Sequence, residues 1–471
     1  MTSTVDVAVT IIYLLGMFGL GVYFATRISN TQEYFLGSRS WGCWLIAFTI
    51  IATNLGAGYT VGASGKAVQE GVSAIWFLTV QSLSFIILAY IMVPRIYPLK
   101  ALTIAEFFEN RFSKGLRWIA GITLCAGTFA LLPAQVVAGT RIVQMLTGFN
   151  YEFCFFFIGL IIIIYTAMGG LPSVVYTDFL QTILIALGFI VAVPMLLSNA
   201  GGFAHLYSSL PENMQNWFYG ASGSWTPQSI LAWVCATLMG RFGAQAWYQR
   251  SQAASSIKEA QKGYIWGGIL GVPFGFLTMV VGIYAVTKFP GIKASEALPK
   301  VFMNELPTGV RAIALGAIIA AIMSSGDSFL NAASALFIND IYKPWVRGKS
   351  ELHYVRIAQI SGIGFGLISM FLAYGSADIL RWIELGFLIR TSASVVVALG
   401  LFWKRANVYG AYASLILGTF TTFYWTKVLH SRIDAFWPTA AVSITAMVLV
   451  SLITTPPAKE KIEFFKLYKK Q

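Results

Sequence analysis

A chain of 471 residues that is 57% hydrophobic and only 11% charged, with a mean hydropathy of +0.71, lies far below the roughly 25% charged content of soluble domains. That composition excludes an ordinary soluble protein and a disordered one, and it calls for a lipid bilayer as solvent. The net charge of +13 invites a nucleic-acid reading, but the charges follow membrane sidedness instead, so no nucleic-acid partner is expected.

One crossing takes about 20 apolar residues, and about thirteen apolar stretches follow one another: 5–26, 41–66, 73–94, 115–147, 153–168, 173–197, 226–249, 262–288, 308–339, 353–375, 379–402, 407–427 and 434–455. The first is no cleaved signal peptide, because Met1 to Val5 carries no Lys or Arg and the run is too long. Runs such as Ile158 to Tyr165 do not alternate, which excludes a barrel. The expected fold is an all-α polytopic membrane protein in a single transmembrane domain, 1–471. Segment 1–40 adds an N-terminal helix and loop, and 403–471 adds C-terminal helices and a basic tail.

Arg27, Arg39, Arg95, Arg111, Arg250, Lys343, Lys404 and the tail lysines Lys459 to Lys470 read as cytoplasmic, whereas 198–225 has no Lys or Arg and reads as extracellular. This puts the N-terminus outside and the C-terminus in the cytoplasm of a cell membrane. Lys288, Lys293 and Lys300 run against the pattern. Segment 198–225 is rich in Gly, Ser and aromatics and reads equally as a lid over an outer vestibule or as a packed surface loop. The tail from Thr454, with Pro456-Pro457 and then Lys alternating with Phe and Tyr, reads as a basic interfacial segment.

Cys43, Cys125, Cys154 and Cys235 are far apart at no metal-ligand spacing. His205, His353 and His430 lie at or beyond helix ends. The sequence has no Walker loop and no nucleotide fingerprint. An enzyme, an organic cofactor and an ATP-driven pump are not expected. Transport has to be driven by an ion gradient or by the solute itself.

The second stretch is interrupted at Asn54-Leu-Gly-Ala-Gly58 and the seventh at Gly240-Arg-Phe-Gly243. Paired Gly-interrupted spans in matching positions are a pointer to a transporter binding site. An unwound turn frees N–H and C=O groups at mid-membrane, and an ion or polar solute can satisfy them. The spacing fits a five-plus-five inverted repeat, with halves at 41–249 and 226–402 meeting near 198–225. The other reading is that these glycines only allow close helix packing.

Ionisable groups within spans are costly and face a partner or a cavity. The ninth stretch contains Ala320-Ala-Ile-Met-Ser-Ser-Gly-Asp-Ser328. Ser324, Ser325 and Ser328 share a face, and with Asp327 and freed carbonyls they offer hard oxygen ligands that suit sodium. Asp178 lies within two turns of Gly169-Gly170 and Pro172, placed to receive a departing cation or simply favoured by a helix N-terminus. Arg241 stands in the seventh-stretch break with Gln245 one turn on and Thr237 one turn back. It needs either Asp327 or another protein carboxylate, or a solute carboxylate bound bidentately. Arg141, beside Gln135 and Thr140, reads as snorkelling or structurally paired. Glu384, Arg381 and Arg390 read as a second ion-paired set.

Three motifs resemble the sodium:solute symporter family: Tyr34-Phe-Leu-Gly-Ser-Arg-Ser40, the Tyr165 to Gln181 segment with its Gly-Gly and Thr-Asp, and Tyr248-Gln-Arg-Ser-Gln-Ala-Ala-Ser-Ser-Ile-Lys-Glu-Ala260. The resemblance covers nearly the whole chain. It implies a LeuT-type inverted repeat and sodium-driven alternating access. It also implies a sodium site formed by the carbonyls of Ala52, Leu55 and Ala321 and the hydroxyls of Ser324 and Ser325. A second cation site or exit falls at Asp178, Asp327 and Ser328, where the family's two-hydroxyl pattern is altered.

Thr53 to Tyr59 and Ser324 to Ser328 look most like the choline-transporter branch. The two tryptophans of that branch's cage fall at Asn54 and Ala244 here, so the aromatic cage is missing, and Arg241 would repel a cation. The solute expected is a small organic anion or zwitterion, carboxylate or amino-acid-like, held by Asn54, Gln81, Thr237, Arg241 and Gln245. The chain is expected to act as a monomer or weak oligomer. The alternatives are a sodium- or proton-coupled transporter of a sugar or choline-like solute, with Asp327 as the proton carrier, a channel, or a non-transporting membrane sensor.

Overall fold

The computed structural model describes residues 4–223, 225–375, 379–429 and 434–463. His430 and the tail lysines Lys466, Lys469 and Lys470 lie outside the described residues. The described residues form helices and no strand, apart from one isolated bridge between Trp41 and Ala254.

In chain order the first half contains α1 (Thr4–Ala25), α2 (Thr31–Leu36), α3 (Cys43–Asn54), α4 (Ala57–Glu70), α5 (Ile75–Ile91), α6 (Val93–Ile96), α7 (Ala105–Arg111), α8 (Lys114–Phe129), α9 (Leu132–Thr147), α10 (Tyr151–Asn199) and α11 (Phe203–Ser208). The second half contains α12 (Pro227–Phe242), α13 (Gln245–Ala253), α14 (Ile257–Lys288), α15 (Ala297–Glu305), α16 (Val310–Leu336), α17 (Lys343–Trp345), α18 (Glu351–Ala373), α19 (Ile379–Phe402), α20 (Val408–Tyr424), α21 (Phe436–Ile453) and α22 (Lys459–Glu463).

Polar caps start many of them. Asn30, Ser113, Asn150, Thr226, Ser256, Ser350 and Asn407 each accept an amide of the following first turn, the usual means of satisfying orphan donors at a helix start. At one helix end Arg111, itself fully buried, collects the carbonyls of Gly400, Trp403, Lys404 and Ala406 and so closes the last turn of α19.

Burial is arranged for lipid. Large apolar side chains point outward, with Phe371 82% and Ile453 81% exposed, while Asp178, Asp327 and Arg250 are buried. A soluble protein would reverse this. Among the described residues, eight helices are long and apolar enough to cross a membrane, and Ile12–Ala25 and Cys43–Asn54 are shorter apolar helices. That is a coarser result than about thirteen spans, because broken helices do not map singly onto apolar stretches. α10 runs through two of the expected spans and bends at Gly170 (φ 55°), where any side chain would strike the Tyr34 carbonyl. The expected single spans 41–66 and 226–249 are each two helices, split at Leu55-Gly56 and at Gly243-Ala244.

The three signature motifs meet in space. The Tyr34 hydroxyl donates to Ala167 O at 2.7 Å. Arg39 donates to the backbone and side-chain oxygens of Gln252, and Trp41 pairs with the backbone at Ala253 and Ser255. The Glu259 carboxylate accepts from Cys43 N at 2.7 Å, tying the start of α14 to the start of α3. The described residues of segment 198–225 pack against the helices. Trp217 stacks on Tyr207 and accepts from Trp76 through its carbonyl, and Ser222 donates to Glu70.

Candidate ion and solute sites

α16 is buried along almost its whole length and lies against α3 and α10. Because α3 stops at Asn54, the carbonyls of Ala52 and Thr53 are released from the helical ladder, and serine hydroxyls of α16 reach them. Ser324 Oγ lies 2.9 Å from both Ala52 O and Ala321 O, and Ser325 Oγ donates to Thr53 O at 2.8 Å. Leu55 is the buried residue at the break itself. A Cβ on Gly56 would strike the Ser325 hydroxyl, so glycine is what lets the break approach α16 this closely. The structure therefore brings Ala52, Ala321, Ser324 and Ser325 together beside Leu55. Every donor atom named is a hard oxygen, a set that fits sodium and not a soft metal.

One turn along α16 the arrangement changes. Arg250 Nη2 donates to Thr53 Oγ1 and to Ser328 Oγ, each at 2.6 Å. It also pairs with Asp178 at 3.3 Å, both side chains being fully buried. Thr49 donates a short hydrogen bond to the same Asp178 oxygen. Asp327 turns away and accepts from the Tyr165 hydroxyl at 2.6 Å. The second oxygens of both carboxylates, Asp178 Oδ1 and Asp327 Oδ1, have no hydrogen-bond partner among the described residues. Of the two buried carboxylates only Asp178 contacts the buried guanidinium, which leaves acceptor capacity for a proton or cation.

Arg250, counted above among the cytoplasmic basic residues, lies buried at the centre of this network. It was missed because its charge counted toward sidedness while its neighbours were unknown. The available signal was its place in the Tyr248-Gln-Arg motif. Arg111, counted with it, is likewise buried and caps a helix end.

The third cluster surrounds Arg241, on the last turn of α12. Nη2 donates to Asn54 Oδ1 at 2.8 Å and to Gln81 Oε1 at 2.9 Å, and the guanidinium lies 3.5 Å from the Phe85 ring centroid and 5.3 Å from that of Trp247. No acidic side chain among the described residues pairs with it, and Nη1 has no partner. Thr237, one turn back, is also buried with an unpartnered hydroxyl. Gln245 does not join this group, because its amide is committed to Ile104 N and Leu102 O. The chain turns at Gly243-Ala244 and points Gln245 into α13, every residue of which is buried. Phe85 and Trp247 come from α5 and α13, and nothing in their local sequence marks them as neighbours of Arg241.

Residues 34–418 match the sodium:solute symporter family. The chain belongs to that family. The symporter is 27% identical to a sodium/glucose cotransporter of Vibrio parahaemolyticus, over 88% of this chain and 83% of the relative. It is also 27% identical to the osmoregulated proline transporter of Bacillus subtilis, over 98% and 97% of the two chains. Among solved structures it resembles a substrate-bound, outward-open Na+-coupled sialic acid symporter, with a TM-score of 0.84 over 97% of this chain and 99% of that one, at 22% identity. The symporter has the all-α, LeuT-type fold that its motifs implied. It is a multi-pass membrane transporter, not an enzyme, and it couples movement of a small-molecule solute to sodium.

Proposed function

We propose that the symporter takes up a small organic solute bearing a carboxylate, an anion or a zwitterion, and that Arg241 receives that carboxylate. The observation that carries this reading is the buried Arg241 guanidinium with an unused Nη1 and no acidic partner among the described residues. An uncompensated charge at mid-membrane is expensive, and a carboxylate on the solute offsets it through charge-assisted, planar contact. The relatives' names span both kinds of solute, a sugar in one and an amino acid in the other, so the chemistry of this chain's own residues has to decide.

In this reading the coupling runs through three consecutive residues of the broken helix. Ala52 belongs to the sodium site of Ala52, Leu55, Ala321, Ser324 and Ser325. Thr53 connects to Arg250 and Ser328. Asn54 holds Arg241 in place for the solute, with Gln81 and the Thr237 hydroxyl beside it. Sodium braces the break and sets the Asn54–Arg241 geometry, so each ligand raises affinity for the other by the same factor. Asp178, Asp327 and Ser328 serve a second cation or the exit path. The basic ends of the helices support a cytoplasmic C-terminus and an external N-terminus, with repeat halves at 41–249 and 226–402, in a monomer or weak oligomer.

The test is the melting temperature of the purified protein with carboxylates, amino acids, sugars and quaternary amines, each in sodium and in potassium. A ligand at 100 times its Kd stabilises by about 2.7 kcal/mol. A shift with a carboxylate in sodium alone, lost in Arg241→Gln, supports the reading. A shift with a sugar or quaternary amine only, unchanged in Arg241→Gln, overturns it.

A further inference from the structure

A second buried arginine approaches the same cluster. Arg390 on α19 is 4% exposed. Its stem is held against α8, where a Cβ on Gly127 would strike Arg390 Cγ. Nε donates to Gly386 O at 3.1 Å, and the guanidinium lies 5.1 Å from the Phe387 ring centroid. It forms no ion pair among the described residues, so it does not belong to the ion-paired set expected with Arg381 and Glu384. Phe387 in turn sits 3.5 Å from the Cβ position of Gly240, the residue before Arg241. α4 also packs on α19, where a Cβ on Gly58 would strike the Ile383 side chain. α12 and α19 therefore meet at Gly240 and Phe387, with a buried arginine on each helix within one turn of that contact, and no carboxylate among the described residues pairs with either.

We infer that Arg390 is a second anion-recognising side chain of the solute site, and that the solute is a small dicarboxylate rather than a monocarboxylate or an amino acid. The inference rests on the reading of Arg241 given above and narrows it. Two unpaired buried cations ask for two anionic groups. The ammonium of a zwitterion would add a third positive charge to the cluster. Phe387, beside Arg390 and packed on the residue before Arg241, offers an apolar surface to the short middle of a diacid.

Succinate, butyrate and sulfate provide the test, each titrated against the melting temperature of the full-length protein in sodium. Succinate is expected to bind at least about 10-fold more tightly than butyrate or sulfate, the worth of one charge-assisted contact. Arg390→Gln should bring succinate down to the butyrate level, Arg390→Lys should restore part of the preference, and Arg241→Gln should remove both acids. Equal binding of succinate and butyrate by the unaltered protein, or an unchanged ratio in Arg390→Gln, would assign Arg390 to the fold and overturn the inference while leaving the carboxylate reading intact. Sulfate binding as tightly as succinate would mean a general dianion site and would equally overturn the diacid class. No response to any acid, with a response to a sugar or quaternary amine, would sink the carboxylate reading itself. Should the variants fail to fold, the succinate-to-butyrate ratio of the unaltered protein decides alone.

Discussion

The hydroxyl of Ser325 donates to the carbonyl of Thr53 at 2.8 Å, joining the middle of α16 to the broken end of α3 across 272 positions of sequence. Through Thr53 the same contact touches the Arg250 network, and through the next residue, Asn54, it touches Arg241. The break thus sets the three clusters on adjacent residues of one chain segment.

Replacing Ser324 and Ser325 together by alanine removes both hydroxyls from the break. Each hydroxyl–carbonyl bond contributes about 1 kcal/mol, so the double variant should still fold, with a modest drop in melting temperature. Its sodium activation of uptake should weaken at least about 10-fold. Sodium titration of uptake into vesicles measures this, and normal activation would remove these residues from the ion site.

Gly56→Ala tests close approach rather than backbone freedom. Gly56 has φ −53°, which alanine adopts readily. The added Cβ would stand 2.6 Å from Ser325 Cβ, and such overpacking costs about 1–3 kcal/mol. The expected result is lower thermal stability together with weaker sodium dependence. A variant with unchanged sodium affinity would show that the break and α16 separate without consequence for the ion.

Arg250→Gln strips Asp178 of the cationic partner it has among the described residues while leaving the carboxylate buried. Breaking a buried pair from one side costs about 3–5 kcal/mol, so this variant should be among the least stable single substitutions in the protein. Adding Asp178→Asn should recover a large part of the loss, because no charge is then left unpaired. Melting temperatures of the singles and the double form the cycle, and purely additive losses would mean that the pair is not coupled.

Asn54→Ala and Gln245→Ala should separate. Asn54 accepts from Arg241, so its loss should lower solute affinity about 10-fold or more, a charge-assisted bond being worth about 1.5–3 kcal/mol. Gln245 bonds the 102–104 backbone, so its loss should lower stability with solute affinity near normal. Solute titration of each variant by thermal shift reads both effects at once.

Much of the symporter was legible in its residues. Apolar run length announced the membrane, and the glycines at 56 and 243 marked the interruptions to within a residue or two. The approach of Ser324 to the Ala52 carbonyl was reachable because both lie in short interrupted or polar segments, whereas the bond from Ser325 to the Thr53 carbonyl was not expected. Gln245 looked like a neighbour of Arg241 because an unbroken helix would place residues four apart on one face, and the break at Gly243-Ala244 removes that relation. Arg250 looked like a loop charge because it lies between an apolar stretch and a run of polar residues.

What the sequence alone determined was therefore whatever depends on local pattern: membrane residence, helical class and the interrupted spans. Only the tertiary structure decided which charges offset one another. Asp178 is joined to Arg250, Asp327 to Tyr165, and Arg241 to amides and aromatic rings. The physical reason is that a buried charge is compensated by groups close in space and not close in sequence. Residue 241 meets residues 54 and 81 only after the helices pack.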